Sequence, residues 1–225
     1  MLVSHGLLLL WTGSQVGIVN LTTNTLALLS LPATLPFAIG FSWPYLVYFD
    51  QPDPAQPTKV RARDLATGQD IALPQVDAVY AATNNADGNH IPYLVLTGDT
   101  LFVSLATGRI QSSNVPPNNV TGPDAATTLY ELDHIVEGGS QLRPVARYHG
   151  AASFPIGANP RLVVYDFIAW DRAEDRWVKF SSLPDGQGPV ARLNGNILVT
   201  FDGGSSNASQ EVTIYDTARL RTAGG

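Results

Sequence analysis

The sequence predicts an all-β fold: a β-propeller of four-stranded antiparallel blades, about five in this chain, standing alone or forming part of a six- or seven-bladed ring. Three observations predict it. The phrase ARDLATGQDIALP at residues 62–74 returns about forty residues later as VSLATGRIQSSNVPP at 103–117, and four strands in such a repeat is the period of a propeller blade. Apolar residues around these phrases alternate with a period of two, as half-buried strands require, and no window sustains helical spacing. The chain also holds 16 Pro and 20 Gly, which would interrupt helices along its whole length.

Taken in order, the recurring unit is a short apolar strand, a turn, a second short strand and a proline. It appears at 16–32, 59–74, 101–117 and 167–184, and a last copy at 212–220 ends before any proline. Gly68 and Gly108 stand where the turn needs a positive φ, and Asn24 takes that place in the first copy because Asn tolerates it best after Gly. Proline, lacking an N–H for the ladder, is expected to end each second strand. Two further strands precede each hairpin after the first, PFAIGFSW and YLVYFD, AVYAATN and HIPYLVLT, TLYELDHI and LRPVARYH, PVARL and NILVTFD, and the N-terminal piece, residues 6–31, is expected to have about three strands. The whole chain, 1–225, is therefore expected to be one propeller domain with blade-like units at about 6–32, 34–74, 76–117, 127–184 and 188–222.

With 225 residues, 44% of them hydrophobic, the chain is long enough for a sizeable core. A net charge of −6 and a charged fraction of 14% leave no basic stripe to neutralise phosphates, so nucleic acid is not an expected partner. Cysteine is absent, which removes disulfides, thiolate nucleophiles and Cys-based zinc sites. The apolar start, MLVSHGLLLLWTG, has no Lys or Arg before its short apolar run and is read as a buried strand rather than a signal peptide. No stretch approaches the ~20 apolar residues of a membrane helix, so no membrane insertion is expected from this chain.

The segment NNADGNHIPYLVLTGDTLFVSLATG at 84–108 resembles the repeat of TolB-like and WD-repeat-like bacterial propellers. Asp87 and Gly88 match the first turn of that repeat, Asn85 and Ala86 replace its Ser-Pro, and Thr107 and Gly108 match its second turn. RDLATG at 63–68 matches the second turn fully, and VVYDFIAWDRAEDRWVKFSSLP has a kelch-like flavour in its Tyr-Asp, spaced Trp and Leu-Pro. No copy carries the kelch Gly-Gly pair at its place or the Trp-Asp ending of strict WD repeats. The resemblance implies a propeller with a binding or scaffolding role, as the sensor or interaction region of a larger bacterial protein, and favours a periplasmic or cell-surface location.

Topology then sorts the loops. In an antiparallel four-stranded blade the loop between the second and third strands opens on the same face as the connection to the next blade. The long connections 51–58, 114–127, 150–160 and 202–210 fall on that face, whereas the opposite face has short Ala-Thr-Gly turns. Elaborate loops on a rigid scaffold are where function usually resides. The expected contacts to a peptide or carbohydrate are accordingly Asp53, Gln56, Asn118, Asn119, Asp124, Phe154, Asn159 and Asn207, by hydrogen bonding or stacking.

Catalysis finds less support. No Ser sits in a GxSxG elbow, and His5, His90, His134 and His149 show no metal-binding spacing. NNADGN at 84–89 has oxygen side chains spaced somewhat like a calcium loop but lacks the downstream bidentate Glu, and Asp-Gly is itself a turn signal. No catalytic residue, metal or cofactor is assigned. The alternative is a glycosidase-like carbohydrate-active enzyme, which needs two carboxylates ~5–9.5 Å apart. Asp50, Asp53, Glu131, Asp133 and Asp166 are the acids for it, with Glu131 or Asp133 facing a central channel. A purely structural blade array is the third reading. The four Trp residues, at 11, 43, 170 and 177, lie in or beside expected strands and are read as packing between blades.

Overall fold

A computed structural model describes residues 2–12, 15–30, 39–50, 59–84, 93–110, 120–135, 141–149, 155–165, 168–179, 190–202 and 211–219. The chain is all-β, built of five successive antiparallel sheets of propeller-blade type. The first is β1 (Leu2–Ser4), β2 (Leu7–Thr12), β3 (Gln15–Asn20) and β4 (Thr25–Ser30), and the second is β5 (Gly40–Ser42), β6 (Tyr45–Asp50), β7 (Lys59–Asp64) and β8 (Asp70–Ala72). The third is β9 (Tyr93–Thr97), β10 (Thr100–Ile110), β11 (Val120–Leu132) and β12 (Arg143–His149). The fourth is β13 (Gly157–Ala158), β14 (Leu162–Val164), β15 (Ile168–Asp171) and β16 (Arg176–Lys179). The fifth shows three strands among the described residues, β17 (Val190–Asn194), β18 (Ile197–Asp202) and β19 (Glu211–Asp216). In every sheet the spatial order follows the chain order, the meander that four alternating strands with short turns produce.

The second sheet follows its expected pattern closely. Val60 and Ala62 point into the core while Arg61 and Arg63 alternate with them. Asp64 Oδ1 accepts from the Ala66 and Thr67 amides at 2.8 and 3.2 Å, which folds the chain back, and Gly68 completes the turn at φ 77°. Asn24 plays the same part in the first sheet, at φ 53°.

Several expectations are corrected. The first sheet has four strands, because Leu2–Ser4 pairs with β2 before the expected start at residue 6. The expected strand AVYAATN belongs instead to a helix, α1 (Pro74–Asn84). Pro74 does end β8, but it also opens this helix, since a first-turn position needs no N–H and φ is already set. Leu73 O then accepts from both the Val76 and Asp77 amides at 3.1 Å. Gly108 is no turn: β10 runs straight through it to Ile110. The long β10 pairs with β11, so TLYELDHI and LRPVARYH supply the third sheet rather than the fourth. The fourth sheet is consequently assembled from 157–179 alone.

The described residues cluster into two compact units, Met1–Val103 with Tyr130–Arg143, and Ser104–Leu129 with Pro144–Gly225. In the first unit, Leu9 and Val16 of the first sheet pack against Phe41, Leu46 and Tyr48 of the second, with Trp11 at the margin. The second sheet lies close to β9, where a Cβ added at Gly40 would stand 3.4 Å from that of Leu96, and Ser42 Oγ accepts from the Gly98 amide at 2.9 Å. In the second unit, Leu162, Val164 and Ala169 pack against Ala191 and Leu198 of the fifth sheet. Trp170 is buried, and Trp177 lies between Tyr148 and Tyr165, ring centroids 5.4 and 5.6 Å away, donating from Nε1 to Arg147 O. Three of the four tryptophans thus pack as expected; Trp43 remains exposed beside Pro44. Among the described residues no helix is long and apolar enough to cross a membrane.

Candidate functional site

Strand order fixes where each long connection opens. Residues 51–58 join β6 to β7, 111–119 join β10 to β11, and 203–210 join β18 to β19, in each case second strand to third. Residues 150–156 leave β12 for the next sheet, at the same end of the third sheet as 111–119. One expected loop is shorter than its sequence suggested, because Val120 onwards belongs to β11, so Asp124 lies in a strand. Asp53, Gln56, Asn118, Asn119, Phe154 and Asn207 lie outside the described residues.

Asn159 is described, and it is not in a long loop. β13 carries the chain across the fourth sheet, so Asn159 sits at the turn into β14, at the other end from 150–154. Its side chain is buried and makes four hydrogen bonds. Oδ1 accepts from the Arg161 and Leu162 amides at 2.9 and 2.7 Å, and Nδ2 donates to Gly195 O and Thr217 Oγ1 at 3.0 and 2.9 Å. That is the full capacity of an amide side chain. A ligand contact at Asn159 would displace one of these bonds.

The acids named for hydrolysis are tied to arginines. Glu131 is 3% exposed, and its Oε1 accepts from Arg143 Nη2 at 3.1 Å. The same Nη2 stands 3.6 Å from Asp133 Oδ2, while Thr100 Oγ1 donates to Asp133 Oδ1 at 3.1 Å. Residues i and i+2 at a strand end share one side, which is why a single guanidinium serves both carboxylates. His134, at φ 55°, places Nδ1 2.9 Å from Asp99 Oδ2, and the Ile135 amide donates to Asp99 O. This cluster occupies the end of the third sheet where β9 turns into β10, opposite the long connections.

Two further clusters follow the same logic. Arg161 donates from Nε and Nη2 to Asp171 Oδ2 at 3.2 and 3.0 Å, and Asp171 is buried. Arg61 stands 3.7 Å from Asp50 on one side and from Asp77 on the other. Asp77 Oδ1 accepts from the Val60 amide at 2.6 Å, which pins α1 to β7 beyond the end of β8. Burial holds the Asp77 carboxyl above the ordinary carboxylate range, against the Val60 amide, Arg61 and Lys59, which favour its charge; Asp50 adds to the upward push. Sequence reasoning passed over Asp77 because its segment read as a strand. Its position in a helix-opening Pro-x-x-Asp was the available signal. Asp53 and Asp166 lie outside the described residues, and among the described residues no group of three His, Cys, Asp or Glu is placed to hold a metal ion.

The five meander sheets give the chain a fold of the β-propeller class. No family model matches the chain, and no curated protein matches it significantly. Among solved structures it is similar to the β-propeller domain of the trilobed protease from Pyrococcus furiosus, at 12% identity and a TM-score of 0.45 over 90% of this chain. The chain spans 59% of the length of that domain. It is also similar to Hsv2 of Kluyveromyces lactis, at 9% identity and a TM-score of 0.25 over 93% of this chain and 94% of the other.

Proposed function

We propose that the chain is a non-catalytic binding module whose partner, a peptide or a carbohydrate, meets the long connections. Asp53, Gln56, Asn118, Asn119, Phe154 and Asn207 are the contacts; Asp124 is left out because it lies in β11, and Asn159 because its amide is spent within the fold. The observation that supports this reading is the partition of polar chemistry. Glu131, Asp133, Asp171 and Asp50 each face an arginine, whereas the long inserts open between second and third strands or between sheets. A carboxylate engaged by a neighbouring guanidinium must give up that contact before it can meet a substrate. A role as the sensor or interaction region of a larger TolB-like bacterial protein belongs to the same proposal.

The test is a glycan and peptide array probed with labelled protein, run beside a hydrolysis assay on the glycans that bind. Binding without turnover, weakened by Asn118→Ala, supports the module. Turnover abolished by Glu131→Gln or Asp133→Asn would replace it with the carbohydrate-active enzyme.

A further inference from the structure

Trp43 stands apart from the other three tryptophans. Tyr45 pairs with Ser42, so Trp43 and Pro44 alone make the turn from β5 to β6. Two-residue turns of this kind are ordinarily built from Gly, Asn or Asp. The bonds that fix the turn come from backbone and serines. The Trp43 amide donates to Ser4 Oγ of the first sheet at 3.1 Å, Ser42 Oγ accepts from the Gly98 amide of the third at 2.9 Å, and the Leu65 amide donates to Pro44 O at 2.8 Å. None of these bonds uses the indole, so the turn itself does not call for tryptophan. The side chain is 36% exposed, whereas Trp11 packs against the apolar cluster of the first and second sheets. An aromatic ring on a base tied from three sides loses little freedom when a partner covers it, and tryptophan is prominent among the residues that anchor interfaces.

Every residue of this arrangement belongs to the first compact unit, and that unit carries the chain's whole excess of charge. Ten of the 19 Asp and Glu fall in it but only four of the 13 Lys and Arg, namely Lys59, Arg61, Arg63 and Arg143, whereas the second unit holds nine of each. Acids gather at the end of the sheets where the Trp43 turn lies. Asp64 and Asp70 flank the turn from β7 to β8, Asp99 lies in the turn from β9 to β10, and Glu131 and Asp133 stand at the end of β11. The two guanidiniums at this end already serve carboxylates: Arg63 is 3.6 Å from Asp70, and Arg143 reaches both Glu131 and Asp133. Burial, and then the charges of Asp64 and Asp99, hold the Tyr45 phenol above its ordinary value, so the field of both carboxylates extends to the turn.

We propose that the Trp43 turn anchors an interaction surface distinct from the long connections, and that its partner is an extended basic peptide segment that lays a lysine or arginine on the indole. Charge selects this occupant. The face of an indole attracts a cation, and Asp64 and Asp99 beside the turn draw the same cation in while repelling acidic partners. An acidic surface also raises the rate at which a basic segment finds it. The surface lies at the end of the second sheet opposite the connection from β6 to β7, so it is independent of the proposed function and uses none of its residues.

Fluorescence anisotropy with a labelled peptide of alternating lysine and serine tests it, beside the same peptide carrying glutamine or glutamate in place of lysine. The native chain is expected to bind the lysine peptide saturably, more weakly as salt rises from about 50 to 300 mM, and to leave the glutamate peptide unbound. Trp43→Ala is expected to weaken binding at least about fivefold, and Trp43→Phe to retain most of it because an aromatic face remains. Asp64→Asn and Asp99→Asn should each weaken it about two- to fivefold, since Asn keeps an acceptor for the Ala66 and Thr67 amides or for His134 but removes the charge. Bound lysine peptide should also protect tryptophan emission from acrylamide in the native chain and not in Trp43→Phe. A native chain that ignores the lysine peptide, or binds the glutamine peptide equally well, overturns the proposal. Salt-sensitive binding that Trp43→Ala leaves unchanged overturns it as well, because attraction would then be spread over the acidic unit without an anchor. Should Trp43→Ala fail to fold, Trp43→Gln takes its place.

Discussion

Replacing Asn159 with alanine separates a structural amide from a ligand contact. The substitution removes two acceptor bonds, to the Arg161 and Leu162 amides, and two donor bonds, to Gly195 O and Thr217 Oγ1. At about 1 kcal/mol net for each hydrogen bond, with an added penalty where a buried partner is left bare, the loss comes to about 4 kcal/mol. Thr217 keeps two bonds, from its hydroxyl and from its amide to Asn196 O, so the turns at 159–161 and 195–196 lose their common tie without losing every local bond. Asn159→Asp is expected to fare no better, because a carboxylate would face Gly195 O in place of a donor. Urea denaturation followed by tryptophan fluorescence reads the change as a lower midpoint at unchanged slope. A loss below about 1 kcal/mol would refute the reasoning, since it would mean that water replaces these bonds at no cost.

Three other outcomes follow from the same geometry. Because Asp77 has a raised carboxyl pKa, its contribution to stability is fully present below its unfolded value of about 3.8 and is lost as pH rises through the folded value. Asp77→Asn keeps an acceptor for the Val60 amide and cannot ionise, so its stability relative to the native chain should rise with pH and then level off. Thermal melts from about pH 3.5 to 7 check this, and a relative stability that falls with pH contradicts it. Arg143→Ala should cost about 1–2 kcal/mol by taking the guanidinium away from the buried Glu131 carboxyl, less than a fully buried pair because Arg143 is itself largely exposed, and adding Glu131→Gln should recover part of the loss in denaturant melts. Tyr165, fully buried with its hydroxyl on Ser104 Oγ, has a phenol pKa raised by burial, so alkaline absorbance titration should show at least one of the 8 tyrosines ionising only as the chain unfolds, and Tyr165→Phe should lower the amplitude of that step by one tyrosine.

The blade pattern was legible where local chemistry alone decides it. Asp64 and Gly68 make their turn with bonds inside six residues, and Asn24 does the same in the first sheet, so both hairpins could be read directly. Segments decided by distant partners were not legible. Thr107 and Gly108 repeat the letters of Thr67 and Gly68, yet no Asp stands three residues ahead of Thr107 to cap the turn; Ser104 occupies that position and bonds Tyr165, 61 residues away. The strand continues, and the assignment of 128–149 shifts by one sheet in consequence. Pro74 ends a strand and also starts a helix, because proline suits a strand end and a helix opening equally. The arginine partners of Glu131 and Asp171 lie ten to twelve residues off, across a hairpin, where register rather than motif brings them together. Asn159 has loop-like neighbours in sequence, and only the two-residue β13 before it places it at the turn into β14.

The central claim is that the long connections bind a partner while the acids hold the sheets together. Its most direct test is a thermal-shift series of the native chain and of Asn118→Ala/Asn119→Ala/Phe154→Ala against glycans and short peptides, since a ligand bound only by the folded state raises Tm by mass action. The account predicts a saturable rise for the native chain that the triple variant loses while its own unliganded Tm stays unchanged. A rise that survives the triple variant but disappears with Glu131→Gln would place binding at the acid cluster and contradict the account.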